Sequence, residues 1–68
     1  MKKGDIVISP VSHEYLTKGK EYEVIDFWST FFDEKYGHRF VIKGDKGEIC
    51  DCFEKLCFHI NRKNWILK

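Results

Sequence analysis

The sequence has little proline, no glycine repeat and no long apolar run. Its 68 residues include one proline, three cysteines and five glycines that follow no repeating period. No apolar run approaches the ~18 residues of a membrane-spanning helix, and an acidic residue at position 5 precedes the first apolar stretch. These absences argue against collagen-like, low-complexity, membrane-spanning and secreted proteins. We therefore expect a cytoplasmic chain that does not associate with membranes.

What is present suits one small folded domain. Hydrophobic residues make up 43% of the chain, aromatic residues 16% and charged residues 34%. This balance supplies apolar surface for a core and charge for solubility, which disordered chains lack. Residues 1–68 are too few for two domains, so we expect a single one.

Short β-branched and alternating runs predict an all-β fold. In 21–27, acidic and apolar residues alternate, which places Tyr22 and Val24 on the inner face. Two glycines in the four-residue link 44–47 predict a tight hairpin, and apolar spacing in 53–58 predicts one helical turn. We predict five strands, with the helical turn before the fifth, at residues 6–8, 21–27, 39–43, 48–53 and 65–67.

Three sequence segments resemble the small Src-homology-3-like (SH3-like) barrels of phage and bacterial proteins. They are GDIV at 4–7, LTKGKEYEVI at 16–25 and GDKGE at 44–48. The resemblance spans nearly the whole chain and implies a five-stranded barrel, whose end is closed by the turn before the last strand. It also implies a phage or mobile-element origin, although most such proteins have no assigned activity. Residues 27–38 depart from the family's pattern.

The cysteines are expected to be buried thiols. Three is an odd number and the expected compartment is reducing, so a disulfide framework is not predicted. Cys50 and Cys52 lie two apart in a predicted strand, where both side chains share one face and both point inward. The alternative is a zinc site, whose spacing departs from the usual pattern, formed by Cys50, Cys52, Cys57 and His59. We expect no metal and no cofactor.

No catalytic constellation is recognisable, so we expect a non-enzymatic protein. Ser12, His13 and Glu14 are consecutive and cannot align in series on one proton path. The glycine-containing link 44–47 joins two strands and does not feed a helix, so it is not a phosphate loop.

Charge is segregated along the chain. Residues 21–34 contain five acids and no Lys or Arg, whereas 55–68 contain four Lys or Arg and no acid. The aromatic-rich segment falls in the acidic block, and acidic flanks repel phosphate. Nucleic-acid binding is therefore the alternative hypothesis, with candidate residues Arg39, Lys43, Arg62 and Lys63.

The leading hypothesis is a protein-contact surface in the segment 27–36, with Asp26 in its charged rim. Large side chains expected to fill the interior are Ile6, Ile8, Tyr22, Val24, Phe40, Ile42, Phe53, Leu56, Phe58, Trp65 and Leu67. Some aromatic rings of 27–36 must then lie outside, where they would form a binding surface for a basic host protein. The alternatives are a hydrophobic lid and the contact of a homodimer. The candidate residues are Asp26, Phe27, Trp28, Phe31, Phe32, Asp33, Glu34 and Tyr36.

Overall fold

A computed structural model describes residues 1–28 and 34–68, and in these ranges the chain is all-β with one short 3₁₀ helix. The 3₁₀ helix spans Phe58–Ile60. The strands are β1 (Ile6–Ile8), β2 (Glu21–Glu23), β3 (Asp26–Phe27), β4 (Arg39–Lys43), β5 (Ile49–Phe53) and β6 (Ile66–Leu67). No helix in the described ranges is long and apolar enough to cross a membrane.

The strands form two three-stranded antiparallel sheets. The first sheet has the order β2-β1-β6 and the second has the order β3-β4-β5. In the second sheet, Arg39 lies opposite Phe53 and Val41 lies opposite Asp51. The strand pairing does not join the two sheets into a closed barrel within the described ranges, so the expected five-stranded barrel is confirmed only as an all-β, two-sheet fold.

The predicted strand 21–27 is divided between the two sheets. Val24 N–H donates to the Asp5 carbonyl of the first sheet (2.8 Å), whereas Ile25 N–H donates to the Val41 carbonyl of the second (2.9 Å). The chain therefore changes sheet between two consecutive residues. The inward positions of Tyr22 and Val24 are confirmed, with 5% and 0% exposure.

The core lies between the sheets and contains several residues that the sequence did not suggest. Leu16 and Ile60 are buried, and Val7 replaces Ile6 and Ile8 as the inward residue of β1. The prediction was wrong for Phe58 and Leu67, which are 62% and 53% exposed. Among the described residues, the buried core comprises Val7, Leu16, Tyr22, Val24, Phe40, Ile42, Cys50, Cys52, Cys57, Ile60 and Trp65.

The helical turn lies further along the chain than predicted. Leu56 has a positive φ of 52°, which ends regular structure within 53–58. The turn forms at Phe58–Ile60, where Ile60 N–H donates to the Cys57 carbonyl and the Ile60 side chain is buried. The turn forms at Phe58–Ile60 because this position buries Ile60. The spacing of apolar residues in the sequence had instead predicted the turn within 53–58.

Candidate functional site

The outer face of the second sheet brings together residues from three strands. In β4, Phe40 and Ile42 are buried in the core, so strand alternation turns the side chains of Arg39, Val41 and Lys43 outward. Register then places β5 residues Asp51 and Phe53 on the same outer face.

Trp28 and Arg39 are stacked on this face. Trp28 N–H donates to the Arg39 carbonyl (3.0 Å), which continues the β3–β4 pairing by one residue. The guanidinium carbon of Arg39 lies 4.3 Å from the centroid of the Trp28 ring, within cation–π range. Trp28 remains 41% exposed, so part of its ring faces solvent.

Asp51 holds the guanidinium from the other side. Arg39 Nε donates to Asp51 Oδ1 at 2.9 Å, and Arg39 Nη2 donates to Asp51 Oδ2. These hydrogen bonds raise the pKa of Arg39 and lower that of Asp51. The guanidinium group is therefore held against the Trp28 ring by the Asp51 carboxylate.

Tyr36 and Phe53 add two further rings to this surface. Their centroids lie 5.2 Å apart at an interplanar angle of 41°. Lys55 N–H donates to the Tyr36 carbonyl (2.9 Å), and His38 N–H donates to Glu54 Oε1 (2.8 Å), so the end of β5 holds segment 36–38 in place. We call the surface formed by Trp28, Tyr36, Arg39, Asp51 and Phe53 the aromatic–arginine face.

The predicted protein-contact residues do not all share this face. Asp26 and Glu34 are exposed, and Asp26 lies on the same side of β3 as Trp28. Phe27 instead faces inward, opposite Phe40, and is packed against the core, so it is not an exposed contact. Phe31, Phe32 and Asp33 lie outside the described residues.

The predicted nucleic-acid residues are divided between two places. Arg39 and Lys43 project from the outer side of β4, whereas Arg62 and Lys63 lie exposed in the turn after the 3₁₀ helix. The charge of Arg39 is already matched by Asp51. Of this set, only Arg39 belongs to the aromatic–arginine face.

The cysteines are buried free thiols, as β5 alternation predicted for Cys50 and Cys52. A hydrogen bond between the Cys52 and Cys57 side chains raises the pKa of Cys52 and lowers that of Cys57. His59 instead lies against the Phe58 ring, with centroids 4.5 Å apart. Within 1–28 and 34–68, no three His, Cys, Asp or Glu side chains are grouped so that they could hold a metal ion.

The sequence reasoning missed Asp51 and Phe53 as site residues. The predicted link 44–47 would set Lys43 opposite Glu48 and Arg39 opposite Cys52, whereas the observed register sets Lys43 opposite Ile49 and Arg39 opposite Phe53. Because a shift of one residue moves a side chain to the other face, the link length alone could not identify Asp51 and Phe53. Cross-strand neighbours on one face, rather than neighbours in sequence, define this surface.

A search among known protein families, curated proteins and solved structures finds no significant match to this chain. The function must therefore be argued from the geometry of the chain's own residues.

Proposed function

We propose that the protein is a non-enzymatic binding module that contacts another protein through the aromatic–arginine face. The observation that carries this proposal is the exposed Trp28 ring stacked on an Arg39 guanidinium that Asp51 already holds in place. Trp, Tyr and Arg are the residue types that most often dominate protein-contact energies. Trp28, Tyr36 and Arg39 supply all three types on this face, outside the core.

Preorganisation supports a contact role. An arginine that is free in solution loses side-chain entropy on binding, about 0.5–1.5 kcal/mol for a flexible side chain. The Asp51 bridge and the Trp28 ring already restrict Arg39, which reduces this cost. Exposed acids at Asp26 and Glu34 would favour a partner with a basic surface.

We also propose that the two sheets are an SH3-like barrel. The chain passes between the sheets at Val24–Ile25 as one bent strand would, and a 3₁₀ turn precedes the last strand. If β2 and β3 are counted as the two halves of one bent strand, the six observed strands become the five that an SH3-like barrel has.

The test is Trp28→Ala, which should abolish partner capture while preserving the fold. The ring is exposed and lies outside the core, so melting by circular dichroism should change little; loss of a central contact residue typically costs about 2 kcal/mol or more, roughly 30-fold in affinity. The measurement is quantitative affinity capture from lysate with wild-type and variant protein side by side, followed by titration of the purified partner.

Phe58→Ala is the matched control. It removes an aromatic ring that is 62% exposed but belongs to the 3₁₀ helix and is not part of the aromatic–arginine face. It should leave capture unchanged. Unfolding of Trp28→Ala would support the lid hypothesis instead, and equal losses in both variants would contradict a specific face.

Nucleic-acid binding is the second candidate, because Arg39 and Lys43 share the outer face with the Trp28 and Phe53 rings. Rings and cations on one sheet face can stack bases and contact phosphates. Fluorescence anisotropy with a labelled single-stranded oligonucleotide, measured across salt concentrations, separates the two proposals. Steeply salt-dependent binding that is lost in Trp28→Ala would favour this candidate over a protein partner.

A further inference from the structure

β5 is an edge strand, and its hydrogen-bond pattern shows which groups face outward. Gly44 N–H donates to the Glu48 carbonyl (2.7 Å) at one end of the β4–β5 ladder, and Glu54 N–H donates to the His38 carbonyl (3.0 Å) at the other. In an antiparallel pair, only alternate residues exchange hydrogen bonds. The even-numbered residues Cys50 and Cys52 therefore turn their backbone groups toward β4, and the odd-numbered residues turn theirs away.

Two of the outward-facing residues present an open edge. Phe53 N–H is directed at the Cys57 sulfur, but the outward backbone groups of Ile49 and Asp51 meet no hydrogen-bond partner in the part of the chain that the structure describes. Ile49 is 64% exposed and the Asp51 side chain is half-exposed. Such an edge is a template on which another strand can pair.

The charge of this edge indicates which kind of strand can pair with it. Segment 48–54 contains three carboxylates and no Lys, Arg or Pro, so it lacks the lysine and proline that commonly protect edge strands. A second copy paired antiparallel through β5 would bring two acidic segments together, with like charges in opposition. An extended segment of another protein fits this edge better. Such a segment would have a basic residue opposite Asp51 and apolar residues two positions away on either side, beside Ile49 and Phe53.

We infer that the edge of β5 takes an extended, basic peptide segment of the partner, which adds to the second sheet as a fourth strand. The inference rests on the proposed protein-binding function and names the conformation and charge of the segment that is bound. Backbone hydrogen bonds at Ile49 and Asp51 supply affinity. The Asp51 carboxylate already accepts two hydrogen bonds from Arg39, but it is half-exposed and keeps further lone pairs, with which it can also accept a hydrogen bond from a basic side chain of the segment.

The probe is a peptide selected from a random display library on the immobilised domain. Selected sequences should share a basic residue flanked at alternate positions by apolar ones. On binding, the Ile49 and Asp51 amides should shift in NMR spectra and become protected from hydrogen exchange. Selection of peptides without basic residues, or bound peptides that are helical, would overturn the inference.

Ile49→Pro tests the backbone contact directly. Proline removes the outward N–H of Ile49 but leaves the Cys50 and Cys52 bonds to β4 intact, and edge strands tolerate such a substitution. Peptide affinity should fall by roughly tenfold, while the matched control Ile49→Thr, which keeps the N–H, should stay within about twofold of wild type. Equal affinity in the two variants would overturn the edge contact.

Hydrogen exchange in the wild-type protein keeps the test decisive if the proline variant fails to fold. A bound peptide that pairs with the edge should slow exchange of the outward Ile49 amide, because its N–H then donates to the peptide backbone. Unchanged exchange at Ile49 on peptide binding contradicts the inference.

Comparison with Trp28→Ala distinguishes the two proposals. If Trp28→Ala abolishes peptide binding but Ile49→Pro does not, the inference about the β5 edge is wrong and the proposal about the aromatic–arginine face is supported. Loss in Ile49→Pro with no effect of Trp28→Ala would sink the face proposal alone. Exchange protection of Ile49 and Asp51 in peptide-free protein, together with a dimeric mass by light scattering, would assign the edge to a second copy and overturn the inference.

Discussion

Asp45 connects the β4–β5 hairpin to the loop that precedes β2. Its carboxylate accepts hydrogen bonds from Lys20 Nζ (2.6 Å), Thr17 Oγ1 (2.7 Å) and the Tyr22 hydroxyl (2.9 Å). The hydrogen bonds from Lys20 and Thr17 contribute most to lowering the pKa of Asp45, which falls from 3.8 to about 2. One exposed carboxylate thus joins segments that are more than twenty residues apart.

Stability should therefore fall with acidification in a window set by Asp45. Because its pKa is lower in the folded state, its contribution is fully present above pH 3.8 and is lost as pH falls toward about 2. Asp45→Asn should be less stable than wild type at neutral pH and should lose less stability across that window. Urea denaturation at a series of pH values measures this.

Lys20→Met is the companion variant, since it removes the largest cause of the shift while keeping the carboxylate. Its pH slope should lie between those of wild type and Asp45→Asn. Identical slopes in all three proteins would show that other groups govern acid unfolding.

At the scale of the element, a strand could be predicted accurately where residue type, alternation and a flanking turn all indicated the same bounds. Arg39–Lys43 was predicted with its observed bounds, because a β-branched alternating run ends at a glycine-containing link. Ile6–Ile8 was predicted as a strand, but its three successive apolar residues show no alternation, and the choice of Ile6 and Ile8 as its inward residues was wrong. In the structure Val7 is the fully buried residue of this strand.

The division of 21–27 did leave a signal in the sequence, because the acidic residues stand at odd positions 21 and 23 but at the even position 26, so the alternation changes phase at Val24–Ile25. The hydrogen-bond partners of Val24 and Ile25, on different sheets, show that the chain changes sheet at this point. The candidate site was predictable for Trp28 and Arg39 as residues. Their stacking was not, since it depends on a cross-strand register between β3 and β4.

The three cysteine thiols should not react with thiol reagents in the folded protein. Two of them lie in β5 and the third directly precedes the 3₁₀ helix. Cys50, Cys52 and Cys57 are at most 2% exposed, so a thiol reagent cannot reach them even though the pKa of Cys57 is lowered by its hydrogen bond to Cys52. An aromatic disulfide reagent should react with none of them until denaturant is added, and then with all three.

Ser12→Cys provides the control for reagent activity, because position 12 is exposed and a thiol there should react at once. Rapid reaction of one equivalent in native wild-type protein would instead reveal an opening of the core around Cys57.

At the scale of the whole molecule, one core serves both sheets. The Trp65 ring lies edge-on to Tyr22 of the first sheet (6.2 Å between centroids) and to Phe40 of the second (5.8 Å). Domains of this length have a total stability of about 3–10 kcal/mol, so a single large cavity consumes much of it.

Phe40→Ala should consequently unfold most of the protein. Truncation of a buried aromatic ring costs about 3–5 kcal/mol, and Phe40 is fully buried. Val41→Ala, on the neighbouring and half-buried position, should cost only about 1 kcal/mol and keep a cooperative melt. Far-ultraviolet circular dichroism during heating compares them, and equal melting temperatures would contradict a shared core.

The two tryptophans differ in solvent exposure, so their intrinsic fluorescence can report on two different parts of the protein. Trp65 is 7% exposed in the interior and Trp28 is 41% exposed on the sheet surface. Their emission should differ in colour and in access to aqueous quenchers. Replacing Trp65 with Phe would leave fluorescence from Trp28 alone, so that docking of a partner could be followed in real time without any attached dye.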